Sequence, residues 1–568
     1  MIDQLRAQLS QQIAPLLNMD SKAILASLES PKQAGHGELA FPVFSLAKTL
    51  KKAPPLIAKE FEEKLNQAGL EGVEKVQAVS GFLNFKFSPE KIQDMVFSEW
   101  NSSEGRLGFS KRFENQVMTI DYSSPNVAKP MTIGHLRATV IGQAIVNLAK
   151  TQGYTVQGLN YLGDWGVQFG KLAWAYKKWG SEYDFSKDPI DSLFKLYVRF
   201  HKEAEENPQL DVEGSLMFKR LEEGDPELER IWKDFIALSL EGYDKLWSRL
   251  GVKHTLVRGE SYYNDKLKDV VQMLRDKGLL EESEGAQVVR LEEEGMPPCL
   301  ITKQDGASLY ATRDIASAID RMENLNTDLN LYVVGAEQTL HFRQVFKVLE
   351  RAGYDWAKDK CHHVSFGMYR FGEFKMSTRK GNVIFLEDVL NKAVEMVAKQ
   401  IEEKNPNVDG KSEISEIVGV GAIIFNDLMN DRVKNVEFNW DKVLDFNGDS
   451  GPYVQYTAVR CNSLMQKTAA NPKAHSGVVL NSPEEMEIFR HLLSYGDTLK
   501  KAFDYFKPHI LAGYLLDLCK LFNQYYAKQR ILEGDAAQVE TRLMLVKCLH
   551  QTLKEGLGVL GVKVPKAM

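Results

Sequence analysis

The strongest constraint on the fold is an alternation of hydrophobic patterns in the second hundred residues. A β-rich run at 117–122 is broken at 123–126, where serine, proline and asparagine cluster. Apolar residues then recur at helical spacing over 136–148, and a second β-rich run covers 155–161. A strand, a helix and a strand in this order predict a Rossmann-like α/β domain with a parallel, doubly wound sheet.

The remaining patterns predict three domains, as expected for a chain of 568 residues. Residues 1–110 predict a small α+β domain that ends in a turn-rich linker. Residues 111–388 predict the α/β domain, interrupted by a helical insertion around 172–300. Almost every segment of 389–568 has helical periodicity, which predicts an all-α C-terminal domain.

Composition excludes several classes of protein. The longest apolar run, Ile417 to Phe425, is far shorter than the ~18 residues of a membrane helix. The N-terminus has amphipathic helical spacing and not the layout of a secretory signal, so we expect a cytoplasmic protein without a membrane partner. Five cysteines, far apart and without a C-x-x-C pair, argue against disulfides and a cysteine zinc site. A net charge of -6 argues against a DNA-coating protein.

Two short motifs have the residue types of a nucleotide site. The first, KPMTIGH at 129–135, lies between the first strand and its helix, where a glycine lets phosphate approach free N–H groups. The second, FKMSTRKGN at 374–382, combines cations and hydroxyls that can follow charge on a leaving pyrophosphate. Taken singly, the first is also typical of simple helix capping and the second of an exposed basic turn.

Together the motifs resemble the paired HIGH and KMSKS signatures of class I aminoacyl-tRNA synthetases. Longer strings narrow the resemblance to the arginyl-tRNA synthetases, and the similarity runs from Gly81 to the last residue. These strings are SPNVAKP at 124–130, GHLR at 134–137, NYLGDWG at 160–166, LYATRD at 309–314 and GPYVQY at 451–456.

The resemblance implies a two-step reaction on ATP, L-arginine and arginine tRNA. Arginyl-adenylate forms first, and the arginyl group then moves to the 2'-hydroxyl of the terminal adenosine. Mg²⁺ is expected with ATP, zinc is not, and the protein is expected to be a monomer that binds no DNA. The domain at 1–110 is expected to bind the tRNA D-loop, 111–388 to be catalytic and 389–568 to bind the anticodon.

The resemblance also implies how ATP is held. His135, Lys129 and Lys375 are the expected catalytic residues, with Lys375 and Ser377 stabilising the α-phosphate and the leaving pyrophosphate. Two positions depart from the signatures: Thr132 replaces the first histidine of HIGH, and Thr378 replaces the second lysine of KMSKS. Lys129 is expected to supply the missing cation, with Arg379 or Lys380 as alternatives. The expected ATP-binding residues are Thr132, Gly134, His135, Lys375, Met376 and Ser377.

A guanidinium always carries its charge and is best met by carboxylates. The resemblance assigns Asp314 and Tyr310 to the arginine side chain and Asp121 as a further acid, while Asn126 and Gln338 orient the substrate. Structural alternatives remain open at this stage. Asp121 could cap a turn, Tyr310 could belong to the core, and Asp314 could pair with Arg313 or Arg321.

Two regions are expected to contact RNA by resemblance. Phe82 and Asn84 combine a stacking surface with an amide for the D-loop, although Phe82 could be a core residue. Tyr453, Tyr456 and Arg460 share one helix face, which is also typical of core packing. The expected tRNA contacts are Phe82, Asn84, Tyr453, Tyr456, Arg460, Tyr526 and Met568.

The sequence disfavours three alternatives to arginine activation. A cysteinyl or glutaminyl synthetase is disfavoured by the absence of zinc cysteines and by the paired acids of the pocket. A small-molecule nucleotidyltransferase would not need a long helical domain after the second motif. A catalytically silent tRNA-binding paralogue is disfavoured because His135, Gly134, Lys375 and Ser377 are all present.

Overall fold

The computed structural model describes most of the chain in two compact units. The first unit comprises residues 1–110, 454–501 and 513–556, and the second comprises 111–453, 502–512 and 557–568. Within these units the described residues are 1–31, 35–303, 310–370, 384–468, 470 and 472–568. The second sequence motif lies outside the described residues, and with it Lys375, Met376, Ser377, Thr378, Arg379 and Lys380.

The helices and strands of the described residues are numbered in chain order. The α-helices are α1 (Ile2–Leu17), α2 (Ser21–Ser27), α3 (Ala47–Leu50), α4 (Pro54–Ala68), α5 (Pro89–Ser102), α6 (Ile133–Thr151), α7 (Val167–Trp179), α8 (Pro189–Glu206), α9 (Gln209–Glu222), α10 (Pro226–Arg249), α11 (Leu267–Asp276), α12 (Tyr310–Asn324), α13 (Thr339–Arg351), α14 (Trp356–Asp359), α15 (Leu386–Lys404), α16 (Lys411–Leu428), α17 (Trp440–Val443), α18 (Gly451–Gln466), α19 (Pro483–Leu493), α20 (Tyr495–Asp504), α21 (His509–Lys528) and α22 (Ala536–Val559). The β-strands are β1 (Leu39–Pro42), β2 (Val73–Val79), β3 (Phe82–Phe87), β4 (Val117–Asp121), β5 (Thr155–Asn160), β6 (Leu256–Val257), β7 (Glu281–Ser283), β8 (Ala286–Val289), β9 (Cys299–Thr302), β10 (Leu329–Tyr332), β11 (Cys361–His363), β12 (Tyr369–Arg370) and β13 (Val436–Glu437).

The first unit joins the N-terminal α+β segment to much of the C-terminal helical region. Its three-stranded antiparallel sheet has the order β1-β3-β2. Helix α1 buries one face because apolar residues recur at Leu5, Leu9 and Ile13. Within the unit, the Arg490 guanidinium of α19 donates to the carboxylate of Glu38 at 2.6 Å. Long-range packing thus brings sequence-distant segments into one unit.

The second unit contains the predicted parallel sheet, with the strand order β11-β10-β4-β5-β6. The predicted strand, helix and strand are β4, α6 and β5, which confirms the α/β fold class. After β5 the chain adds β6 at one edge and then crosses to β10 on the other side of β4. Such a reversal opens a crevice at the carboxyl ends of β4 and β10, where α/β proteins bind ligands.

The insertion between β5 and β6 is helical and comprises α7 to α10. The insertion predicted around 172–300 was not expected to contain strands, but it ends in the antiparallel sheet β7-β8-β9. These strands have three or four residues each, too few to show the two-residue period of a strand. No helix in the described ranges is long and apolar enough to cross a membrane.

Candidate active site

The first sequence motif lies at the crevice of the parallel sheet. Strand β4 ends at Asp121, and the backbone has positive φ at Ser123 (54°) and Ala128 (63°) before α6 begins. Non-glycine residues seldom adopt such angles, and they occur often at functional sites. The turn places Thr132 at the N-cap of α6, so the N-terminus of this helix lies beside the crevice.

His135 closes this N-terminus with its own side chain. The backbone N–H of Thr132 donates to Nδ1 of His135 at 2.9 Å. An amide N–H can only donate, so Nδ1 is the acceptor and the neutral ring carries its proton on Nε2. Burial lowers the pKa of His135, and nearby Lys129 lowers it further. The ring is therefore neutral near pH 7 and presents Nε2–H as its donor.

The helical insertion holds the loop that carries Lys129. The hydroxyl of Tyr243 on α10 lies 2.7 Å from the backbone oxygens of both Asn126 and Lys129. The hydroxyl of Ser239, one turn earlier on α10, accepts from the N–H of Ala128 at 2.9 Å. On α8, the Tyr197 ring centroid lies 4.6 Å from Nζ of Lys129. The insertion therefore fixes both the backbone and the cation of this loop.

Asp121 is already paired within the protein. Nη2 of the fully buried Arg321 donates to Oδ2 of Asp121 at 2.8 Å, and the Ser124 hydroxyl donates to Oδ1 at 2.9 Å. Burial raises the pKa of Asp121, while the guanidinium and these hydrogen bonds oppose that shift. Asp121 thus contributes a carboxylate whose charge is matched by Arg321.

Asp314 and Tyr310 lie on α12. The partner of Asp314 is a histidine and not the predicted arginine alternative: Nε2 of His341 lies 2.5 Å from Oδ2 of Asp314. Arg313 instead donates to Asn264 at 3.1 Å. Tyr310 is 69% exposed, so the alternative that it belongs to the core is wrong.

Sequence reasoning missed a further acid, Glu260, which lies three residues after β6. Burial raises the pKa of Glu260 to about 7, Arg313 lowers it, and Asp164 and Asp314 raise it. Asp314 also acts on the pKa of Asp121. Glu260 thus lies within electrostatic range of Asp164 and Asp314, and Asp314 lies within range of Asp121. Because β6 has only two residues, no strand pattern marked Glu260 as the residue at a strand end.

Asn126 and Gln338 are exposed at the same edge. Asn126 forms a single parallel bridge with Gly163, where an added Cβ would collide with Oδ1 of Asn126. Gln338 ends the 3-10 turn Ala336–Gln338, which follows β10. The structure therefore brings Asp121, Asn126 and Gln338 to one edge of the sheet, with Asp314 in electrostatic range of Asp121.

In the first unit, Phe82 and Asn84 line a cavity of about 210 Å³ together with Glu29 and His36. The half-buried Phe82 ring meets the exposed ring of Phe44 edge-on, with centroids 5.1 Å apart. The amide of Asn84 is buried. An aromatic face and an amide thus share one small cavity.

A second aromatic group in this unit surrounds Arg460. Its guanidinium lies 4.8 Å from the ring centroid of Tyr456 and 5.5 Å from that of Tyr526, and it donates to Asn523 at 3.0 Å. Tyr456 and Tyr526 are 37% and 41% exposed, so the core alternative does not describe them. Two other predicted contacts, Tyr453 and Met568, belong to the second unit and are half-buried.

Models of known families match three successive parts of the chain. Residues 3–87 match the arginyl tRNA synthetase N terminal domain, and 101–440 match the catalytic domain of class I (R) tRNA synthetases. Residues 454–568 match the DALR anticodon binding domain. The fold and its crevice are thus those of a class I aminoacyl-tRNA synthetase.

Similar proteins match this chain over nearly its full length. The chain is 45% identical to the arginine–tRNA ligase of Ligilactobacillus salivarius over 97% of both chains. It is also 45% identical to that of Exiguobacterium over 99% of this chain and 98% of the relative. The arginyl-tRNA synthetase structure from Thermus thermophilus superposes with a TM-score of 0.81 at 25% identity, covering 99% and 100% of the two chains. The chain belongs to the arginyl-tRNA synthetase family.

Proposed function

We propose that this arginine–tRNA ligase forms arginyl-adenylate and pyrophosphate from L-arginine and ATP, then esterifies the 2'-hydroxyl of the terminal adenosine of arginine tRNA. One observation carries the proposal. A helix N-terminus with a neutral histidine donor and a group of carboxyl side chains lie at the carboxyl edge of one parallel sheet. The first suits a triphosphate and the second suits a guanidinium.

His135, Thr132 and Gly134 bind the ATP phosphates in this proposal. Among the described residues, packing does not require a glycine at 134, since an added Cβ would meet only the Thr132 hydroxyl, at 3.4 Å. A glycine in a helix costs about 1 kcal/mol relative to alanine. Its presence in the first turn therefore supports close approach of a phosphate to the backbone.

Lys129 supplies a positive charge to the phosphates from the loop that the insertion holds. Its effect on the pKa of His135 supports their common location. From the sequence motif outside the described residues, Lys375, Met376 and Ser377 act on the α-phosphate and pyrophosphate by positioning and electrostatics. Arg379 or Lys380 is the alternative source of the second cation, and Mg²⁺ enters with ATP as its complex.

Arginine is held through the acids at the sheet edge. Burial, Asp164 and Asp314 raise the pKa of Glu260 against the opposing effect of Arg313, which supports a pocket for a further cation. Because Arg321 balances Asp121, we assign the substrate guanidinium to Asp314 and Glu260. Tyr310 packs on the substrate side chain, and Asn126 and Gln338 bind its α-amino and carboxylate groups.

The tRNA contacts complete the proposal. The domain at 1–110 binds the D-loop through Phe82 and Asn84, and 389–568 binds the anticodon, with the catalytic domain at 111–388 between them. The exposed tyrosines around Arg460 support stacking on bases. We expect a cytoplasmic monomer. The proposed anticodon contacts are Tyr453, Tyr456, Arg460, Tyr526 and Met568.

The experiment that tests the function measures ATP–pyrophosphate exchange with each amino acid, with and without tRNA. Exchange is expected with L-arginine only, and only when tRNA is bound. Charging of arginine tRNA should follow. Exchange with another amino acid, or tRNA binding without any exchange, would contradict the proposal and favour another synthetase or a silent paralogue.

A further inference from the structure

Helix α6 binds the described segments on both sides of residues 371–383. On the C-terminal side, 384–386 pairs with 131–133, the N-terminal edge of α6, through two backbone hydrogen bonds of 3.0 Å each. On the N-terminal side, the contact is made by one side chain of the helix, Arg137. The helix that carries His135 therefore holds both ends of the segment that carries Lys375.

The Arg137 guanidinium is almost completely buried, with 1% of its surface exposed. Its Nη1 donates to the backbone oxygen of Gly367 at 2.7 Å and to that of Lys434 at 2.8 Å. Its Nε donates to Oδ2 of the fully buried Asp427, on α16, at 3.0 Å. Gly367 and Lys434 each lie two residues before the paired strands β12 and β13, so one side chain fixes the approach to both strands.

Aromatic rings and closely packed backbone surround this guanidinium. The rings of Phe366 and Tyr369 lie 5.9 Å and 5.8 Å from its central carbon. Gly367 approaches the carbonyl of Lys434 so closely that an added Cβ would lie 2.6 Å from its oxygen. A planar group with several fixed donors satisfies two carbonyls and a carboxylate at once, which a lysine ammonium on its flexible stem does not.

We infer that Arg137 is a positioning residue for adenylate formation. It holds β12, from which residues 371–383 continue, at a fixed place relative to His135, two residues earlier on the same helix. The inference rests on the proposed roles of His135 and Lys375. A buried ion pair contributes little net stability compared with apolar residues of similar volume, whereas a displacement of 1 Å in a reacting group can cost about 10²-fold in rate. The main effect of this contact is therefore on the position of the reacting groups and not on stability.

The test compares Arg137→Lys with the double variant Arg137→Met/Asp427→Leu. The double variant removes the buried charges together, so its unfolding temperature should stay near that of the wild type. Both variants should lose about 10²-fold in kcat for tRNA-dependent exchange. The KM for arginine should change less than twofold. Exchange is normalised to active sites counted by the adenylate burst.

Arg542→Met is the matched control for Arg137→Met. Arg542 also pairs with a buried acid, Glu485, at 3.2 Å and donates to two backbone oxygens, but these contacts lie in the first unit. Both single variants remove the guanidinium that pairs with a buried carboxylate and should lose stability. Only Arg137→Met should lose kcat at saturating tRNA.

Two results would overturn the inference. The first is a stable double variant with wild-type kcat per active site, which would leave Arg137 a purely structural role. The second is full kcat in Arg137→Lys. This variant keeps the positive charge, so it can be measured even if the double variant does not fold. A wild-type protein without arginine-dependent exchange would instead reject the proposed function.

Discussion

The role of His135 is best tested by replacing it with asparagine and with glutamine. Its two ring nitrogens have different hydrogen-bonding roles: Nδ1 accepts from the Thr132 N–H, and Nε2 carries the proton. Asparagine places an amide oxygen near Nδ1 and can keep the hydrogen bond, but it has no donor at the position of Nε2. Glutamine reaches the position of Nε2 with its amide and can restore that donor.

The two roles differ in the free energy that each is expected to contribute. A donor to transition-state charge is worth about 10²–10³ in kcat, or roughly 3 kcal/mol. The hydrogen bond from Thr132 contributes only about 1 kcal/mol to stability. His135→Asn should therefore lose about two to three orders of magnitude in exchange while unfolding at almost the wild-type temperature. His135→Gln should recover part of the rate, and His135→Ala should lose both rate and the cap.

The assay is ATP–pyrophosphate exchange at saturating arginine and tRNA, alongside thermal unfolding. Arginine affinity should be the same in all three variants because the carboxyl groups of the pocket are untouched. If His135→Asn exchanges at the wild-type rate, the imidazole is only a helix cap. The assignment of Nε2 as the phosphate donor would then be wrong.

Four further predictions concern the pocket, the phosphates and the RNA. Asp314→Asn should raise the KM of arginine about 30-fold or more, since a charge-assisted hydrogen bond is lost, and leave that of ATP unchanged. Because the pKa of Glu260 is about 7 and a guanidinium favours the ionised form, arginine KM should rise as pH falls through 7, and Glu260→Gln should abolish this dependence. Lys129→Ala should lower kcat for exchange at least tenfold and leave tRNA affinity within twofold. Tyr456→Ala should reduce exchange at subsaturating tRNA, and saturating tRNA should restore it.

Two of these predictions have a control variant. Asp320→Asn alters another buried acid of α12, paired with Lys266 at 2.6 Å, and should leave the KM of arginine unchanged. Lys202→Ala removes an exposed cation of α8 and should leave exchange unchanged. An equal rise in both KM values would contradict the role of Asp314. Robust exchange in RNA-free enzyme would contradict any coupling through Tyr456.

The parallel sheet could be predicted because its first strands and the helix between them are long. Helix α6 has 19 residues, and β4 and β5 have five and six, enough for each period to show. Strand β6 has two residues, so neither it nor the carboxyl group that follows it was found. Sequence period thus predicts the centre of the sheet better than its edge.

The partners of the pocket acids could not be predicted from the sequence in the same way. Asp121 pairs with Arg321, 200 residues later, and Asp314 pairs with His341 on the next helix. The sequence analysis considered Arg321 as an ion-pair partner, but of Asp314 and not of Asp121. Such pairings depend on how β4, α12 and α13 pack around the crevice, and local patterns carry no information about that packing.

The internal guanidinium of Arg321 has a physical consequence for recognition. Four neighbouring carboxyl groups without cations would raise one another's pKa values and become neutral, which would leave no charge for the substrate. Arg321 offsets one of them by a buried ion pair of 2.8 Å, so the charges of Asp314 and Glu260 are opposed less strongly. Glu260 still keeps a pKa near 7, because its burial outweighs the opposing effect of Arg313. A bound arginine would add a second positive charge beside this carboxyl, whereas a neutral side chain of similar length would not. The pocket therefore selects a cation both by attraction and by the cost of leaving its own acids unmatched.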